Sequence, residues 1–179
     1  MLSLHPNGFI QYDLPYGKRL HIWHPDLPLA QEVYTPIHDH TFSFHSRIVL
    51  GRLTHVEYEF ERDVSGDYLL HGAVRDGDLD TKLVPMGMVG HMTAIRQLTL
   101  SVGYEYTFRY GRFHTSEGSR LTATIMEKTS TNDTPFPRIA VPVGTPPDNN
   151  FRRQEVDIAL LQQYVDRVLE EIGHNGQYS

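Results

Sequence analysis

Cysteine is absent from this 179-residue chain. That excludes disulfides, thiolate metal ligands and a cysteine nucleophile. No apolar run approaches the roughly 20 residues that a membrane-spanning helix requires, so no membrane partner is expected. The opening Met1-Leu2-Ser3-Leu4-His5-Pro6 has neither the basic start nor the apolar stretch of a secretory signal. Together with the missing cysteine this makes the cytoplasm the expected location. Positive charge is scarce as well. Sixteen Lys and Arg against 22 Asp and Glu give a formal net charge of −6, which argues against nucleic acid as the main partner. An apolar content of 39% and a mean hydropathy of −0.40 are those of a water-soluble globular domain. The length suits one domain with a core of its own.

What the chain has instead is alternation. Residues 8–13 and 18–24 read as short strands around the Tyr16-Gly17 turn. Residues 47–62 form the longest strand candidate, with Leu53, His55, Glu57, Glu59 and Glu61 on one parity. His55, Glu57 and Glu59 on that parity read as a hydrated face, with a second ion site as the alternative. Further strands are expected at 67–74, 80–84, 91–101, 104–109, 112–116 and 120–128. Many short strands with Gly or Asp turns and no helical period indicate an all-β sandwich or barrel. Residues 130–150 contain Pro135, Pro137, Pro142, Pro146 and Pro147 and read as an irregular strap. Beyond it Val156, Leu160, Val165, Leu169 and Ile172 recur at helical spacing, predicting an amphipathic helix over 152–172. The expected organisation is therefore a β-barrel over 1–129, a Pro-rich strap over 130–150, and a C-terminal helix and tail over 151–179 on the same domain.

Eleven histidines are many for this length. Two of them, in Pro36-Ile37-His38-Asp39-His40, form a His-x-His pair that places both imidazoles on one face of an extended segment. Two ligands hold a metal poorly, so a third must come from elsewhere. His114 lies in a second unusual segment, Gly103-x5-Arg109-x-Gly111-x2-His114. His21, His24, His55, His71 and His91 have no second ligand at a known spacing.

The two segments together resemble the cupin superfamily over roughly residues 19–128. Its first motif runs Gly-x5-His-x-His-x(3 or 4)-Glu-x6-Gly, and His38, His40, His45 and Gly51 reproduce most of it. Its second runs Gly-x5-Pro-x-Gly-x2-His-x3-Asn, with Gly103, Gly111 and His114 at matching places. His45 stands where the family has Glu, Gly51 comes one residue early, Arg109 replaces Pro and Gly118 replaces Asn. The resemblance implies a single cupin jelly-roll barrel binding one divalent metal through His38, His40 and His114. It also suggests a homodimer. His45, at the carboxylate position, is either a fourth ligand or a packed residue beside Phe42 and Phe44. Within the superfamily the motif is most similar to the three-histidine cysteine and thiol dioxygenases, which favours Fe(II), with Zn, Ni or Mn as alternatives. Those enzymes carry Cys or a small residue in place of His45, and many have a Ser-His-Tyr set on a later strand. Residues 121–129 contain neither His nor Tyr. The likeness thus supports the three-histidine iron site better than it supports thiol oxidation.

The missing carboxylate has an electrostatic consequence. Neutral imidazoles leave a divalent ion its full +2 charge, which favours a small anionic substrate, thiol or carboxylate-bearing. Arg47 shares parity with His45, and Arg112 with His114. Either guanidinium, if it faced the cavity, would clamp a carboxylate at two points. The activity expected is that of a mononuclear non-haem dioxygenase. The alternatives are a metal-dependent isomerase or lyase, in which the ion polarises a carbonyl, and a non-catalytic binding module closed by four histidines.

Overall fold

The computed structural model describes residues 1–27, 37–76, 80–145, 151–152 and 157–174. Its strands are β1 (Leu2–His5), β2 (Phe9–Asp13), β3 (Lys18–Trp23), β4 (Phe42–Arg62), β5 (Tyr68–Asp76), β6 (Asp80–Ser101), β7 (Glu105–Phe108), β8 (Phe113–Thr131), β9 (Arg138–Pro142) and β10 (Phe151–Arg152). One helix, α1 (Ile158–His174), follows. The all-β class and the C-terminal amphipathic helix are as the sequence predicts, and the sheet curls round on itself.

The order is β1-β2-β3-β8-β4-β6-β5-β9. The long strands make the curl. The second half of β4 lies between β8 and the second half of β6. The first half of β6 continues to β5, which pairs with β9. His38 then bridges Ile139 of β9 on one side and His114 of β8 on the other. That single residue closes the ring β4–β8–His38–β9–β5–β6, so the barrel has a seam and a candidate ligand sits on it. The Pro-rich region contributes here, because Arg138–Pro142 pairs as β9 rather than running as an irregular strap. Pro146 and Pro147 lie outside the described residues.

A change of parity inside β4 decides which side chains face the interior. Phe44, Ser46 and Ile48 are buried on one parity, and Leu53, His55 and Glu57 on the other. Register shifts between Ile48 and Leu50 and between Leu50 and Arg52 separate the two runs. Gly51 stands at the shift with φ +69, a conformation that only glycine adopts without strain. The expected hydrated face of His55 and Glu57 is thereby turned inward, leaving Glu59 exposed.

Two apolar layers hold the fold. Trp23, Ile48, Leu53 and Leu100 pack inside the curl. On its outer face Leu161, Val165, Val168 and Ile172 of α1 are fully buried at spacings of three and four. They meet Leu4, Ile10, Leu20, Ile22, Val49 and Ala123. The helix opens at Asp157, whose Oδ1 accepts the Ala159 backbone N–H at 2.9 Å. This start lies inside the expected 152–172; residues 153–156 fall outside the described set, and 151–152 pair with β6 as β10.

Candidate metal centre

His38 and His114 exchange both backbone hydrogen bonds, His38 N to His114 O at 3.1 Å and His114 N to His38 O at 2.9 Å. Residues paired this way in antiparallel strands present their side chains on the same face. His40, two residues on, joins them by alternation. His38, His40 and His114 therefore converge, each offering a ring nitrogen, with these atoms all within 4.8 Å of one another. The Nε2 atoms of His40 and His114 are 3.0 Å apart. Two nitrogens at about 2.1 Å from one ion, at right angles, stand about 3.0 Å apart. The donor set therefore fits a divalent ion of the imidazole-binding kind. Burial and the neighbouring histidines hold both rings well below the ordinary histidine pKa. At neutral pH their lone pairs carry no proton.

The two ligand segments are held from behind. Asp39 points away from the imidazoles and is buried. Its carboxylate accepts the Arg138 backbone N–H at Oδ1 and the Arg138 Nε–H at Oδ2, 2.7 Å away. Burial raises the Asp39 pKa, and the hydrogen bonds and charge of Arg138 oppose that rise. Arg138 Nη2 donates to Gly111 O at 3.0 Å, while Gly111 N donates to His40 O at 3.0 Å.

Behind His114 lies a neutral polar cluster that the sequence did not flag. His55 Nδ1 is 3.0 Å from Ser116 Oγ, and His114 Nδ1 is 3.4 Å from both Ser116 Oγ and His55 Nδ1. A hydroxyl there can accept a hydrogen bond from the Nδ1–H of His114 and leave Nε2 free to ligate. Burial lowers the His55 pKa to about 4 and raises that of Tyr106, which hydrogen-bonds Ser46 and Ser116, to about 12. Glu57 is in register with His114 on the neighbouring strand. It is held by Arg96 at 3.3 Å and Arg112 at 3.5 Å, and among the described residues no carboxylate joins the three imidazoles.

The remaining sequence candidates lie elsewhere. His45 sits on the other parity, 40% exposed, with Nε2 3.3 Å from Glu105. It is outside the converging group: after the register shift between Ser43 and Phe44, Phe44 and Ser46 take the cavity face and His45 the opposite one. Arg47 shares that face and faces Glu105 in register. Arg112 is 57% exposed and bound to Glu57. Neither lines the cavity beside the imidazoles. That cavity, about 220 Å³, is walled by Phe9, Trp23, Phe42, Phe44 and Tyr106, and the arginine that lines it is Arg19. Arg19 pairs through Nε with Asp13 at 3.4 Å. His21, Gln11 and Asn7 add polar groups to the same wall. Alternation along β2 and β3 puts these odd-numbered residues inside, and that signal was readable; which face was inner was not.

No protein-family profile matches the chain. No curated protein sequence matches it either. Among solved structures it is similar to hydroquinone 1,2-dioxygenase PnpCD in complex with Cd2+ and 4-hydroxybenzonitrile, at 17% identity and a TM-score of 0.34 over 69% of this chain and 62% of that one. It is also similar to hydroquinone 1,2-dioxygenase from Sphingomonas sp. TTNP3 with 4-hydroxybenzoate bound, at 8% identity and a TM-score of 0.33 over 64% of this chain and 60% of that one. The chain thus spans less than two thirds of the length of either structure.

Chemically the arrangement is a cradle of three imidazole nitrogens on the wall of a small aromatic cavity. Among the described residues the cavity wall also carries the guanidinium of Arg19 and the imidazoles of His5 and His21. Three protein ligands leave coordination positions free for small molecules.

Proposed function

We propose that the protein is a mononuclear non-haem metal enzyme, a dioxygenase acting on a small anionic substrate, with Fe(II) held by His38, His40 and His114. The observation that carries this reading is the convergence of the three imidazoles on an aromatic-lined cavity. An Fe(II) ion in this position would activate oxygen and lower the barrier to its addition to a coordinated substrate. The chain's own residues do the rest. Asp39 and Arg138 fix the His-x-His segment. Phe9, Phe42, Phe44 and Trp23 keep bulk water off the site and receive the apolar body of the substrate. Arg19 takes the place expected of Arg47 and Arg112, with its guanidinium on the cavity wall for an anionic group. The position of His45 argues against a site closed by four histidines.

Elemental analysis of the purified protein, paired with oxygen uptake across thiols, β-dicarbonyls and phenolic acids, tests the reading. One equivalent of metal per chain is expected, falling to a trace in His114→Ala. A wild type that cannot be loaded with metal would end it. Turnover that persists without oxygen would move the assignment to a metal-dependent isomerase or lyase.

A further inference from the structure

We propose that Arg138 is a positioning residue for the metal centre, a latch that joins the two ligand-bearing segments across the seam of the barrel. The proposal rests on the metal-binding reading above. The three ligands come from both sides of that seam, His38 and His40 from residues 37–40 and His114 from β8. Residues 37–40 form no extended strand; beside the two bridges of His38, single backbone bonds tie Ile37 O to Ala140 N, Asp39 N to Arg138 O and His40 O to Gly111 N. So short a ladder lies at the edge of the sheet's cooperative hydrogen bonding. Arg138 adds a side-chain clamp to it. Its backbone carbonyl accepts the Asp39 N–H at 2.9 Å, and its Nε meets the Asp39 carboxylate at 2.7 Å. Nη2 reaches the Gly111 carbonyl at 3.0 Å, and the guanidinium lies 4.8 Å over the Phe113 ring. One side chain thus grips the residue between two ligands and the turn that delivers the third.

Asp39 makes the latch demanding. Its side chain is 4% exposed, so without Arg138 it has no water to replace the lost partner. The bridge would have to relax outward to hydrate it, carrying His38 and His40 with it. Arg138 stands on the far face from the imidazoles and acts only through their placement.

Zn(II) affinity, measured by competition with a chromophoric chelator on the folded wild type, Arg138→Ala and Arg138→Lys, tests this. Loss of the latch should weaken binding about 10–100-fold, the usual scale for groups that orient metal ligands. Lysine should restore only part, because one ammonium cannot reach Asp39 and Gly111 together. A folded Arg138→Ala that binds Zn(II) as tightly as the wild type overturns the latch. Where the alanine variant does not fold, the lysine variant decides on the same criterion. Hydrogen exchange on the wild type gives a second reading. Zn(II) should slow exchange at the His38, Asp39, Gly111 and Ala140 amides more than at those of α1; uniform slowing or none overturns the proposal. A wild type that takes up no Zn(II) overturns the metal-binding reading and the latch with it, whereas equal binding by the variant overturns the latch alone.

Discussion

His45 and His55 lie ten residues apart on one strand with the same parity, yet they face opposite sides of the sheet. His45 is half-exposed beside Glu105; His55 is buried against His114 and Ser116. The difference sets what each is worth. Replacing His45 by alanine removes a solvent-exposed contact with Glu105, so stability should change by no more than about 0.5 kcal/mol, with metal content unchanged. His55→Ala strips a buried partner from Ser116 and His114. It should cost about 1–3 kcal/mol and weaken metal binding. Urea unfolding and metal analysis on the two variants check this, and equal behaviour of the pair would contradict it.

At the level of the strand, the parity change in β4 depends on Gly51. A Cβ added there would stand 2.2 Å from Leu121 O and 2.7 Å from Thr122 Oγ1, on a backbone with φ +69. Gly51→Ala should destabilise the protein by about 1–3 kcal/mol from backbone strain alone, with the clash adding to it. Because the shift turns His55 inward, the variant should also bind metal more weakly. A denaturation midpoint and Zn(II) affinity both equal to the wild type would show that the shift does not need glycine. The helix shows the other side of element-level reasoning. Its apolar spacing was legible because a helix docked on a sheet repeats its pattern every three or four residues. β9 was not legible, because five prolines in the surrounding region mask a five-residue strand whose pairing is supplied by β5 and His38.

Across the whole molecule, the concentration of buried neutral histidines ties stability to pH. His21 is pushed down to about 3 by burial, with Arg19 adding to the shift. The fold therefore favours its neutral form. In the unfolded chain the group takes up a proton near pH 6.5, so below that pH the unfolded state binds more protons than the native one. The contribution is fully present above about pH 6.5 and is lost progressively as pH falls toward 3, at no more than about 1.4 kcal/mol per pH unit for this group. Urea midpoints at pH 7.5, 5.5 and 4.5 should decline in that order. The slope should flatten in His21→Gln; an unchanged slope would assign the acid sensitivity to other groups.

The sequence by itself determined the all-β class, the C-terminal helix and the candidate ligands His38, His40 and His114. Alternation, helical period and the His-x-His spacing are local properties of the chain, and His114 stood out through the resemblance of its segment to a known motif. Tertiary structure alone decided which face was inner and which side chains stand behind the ligands. His55 and Ser116 meet across β4 and β8, and Arg138 reaches Asp39 over a gap of 99 residues. Arg19 rather than Arg47 or Arg112 lines the cavity, because a register shift in one strand and a single bridging residue set the orientation of everything around them. Neither leaves a period in the sequence.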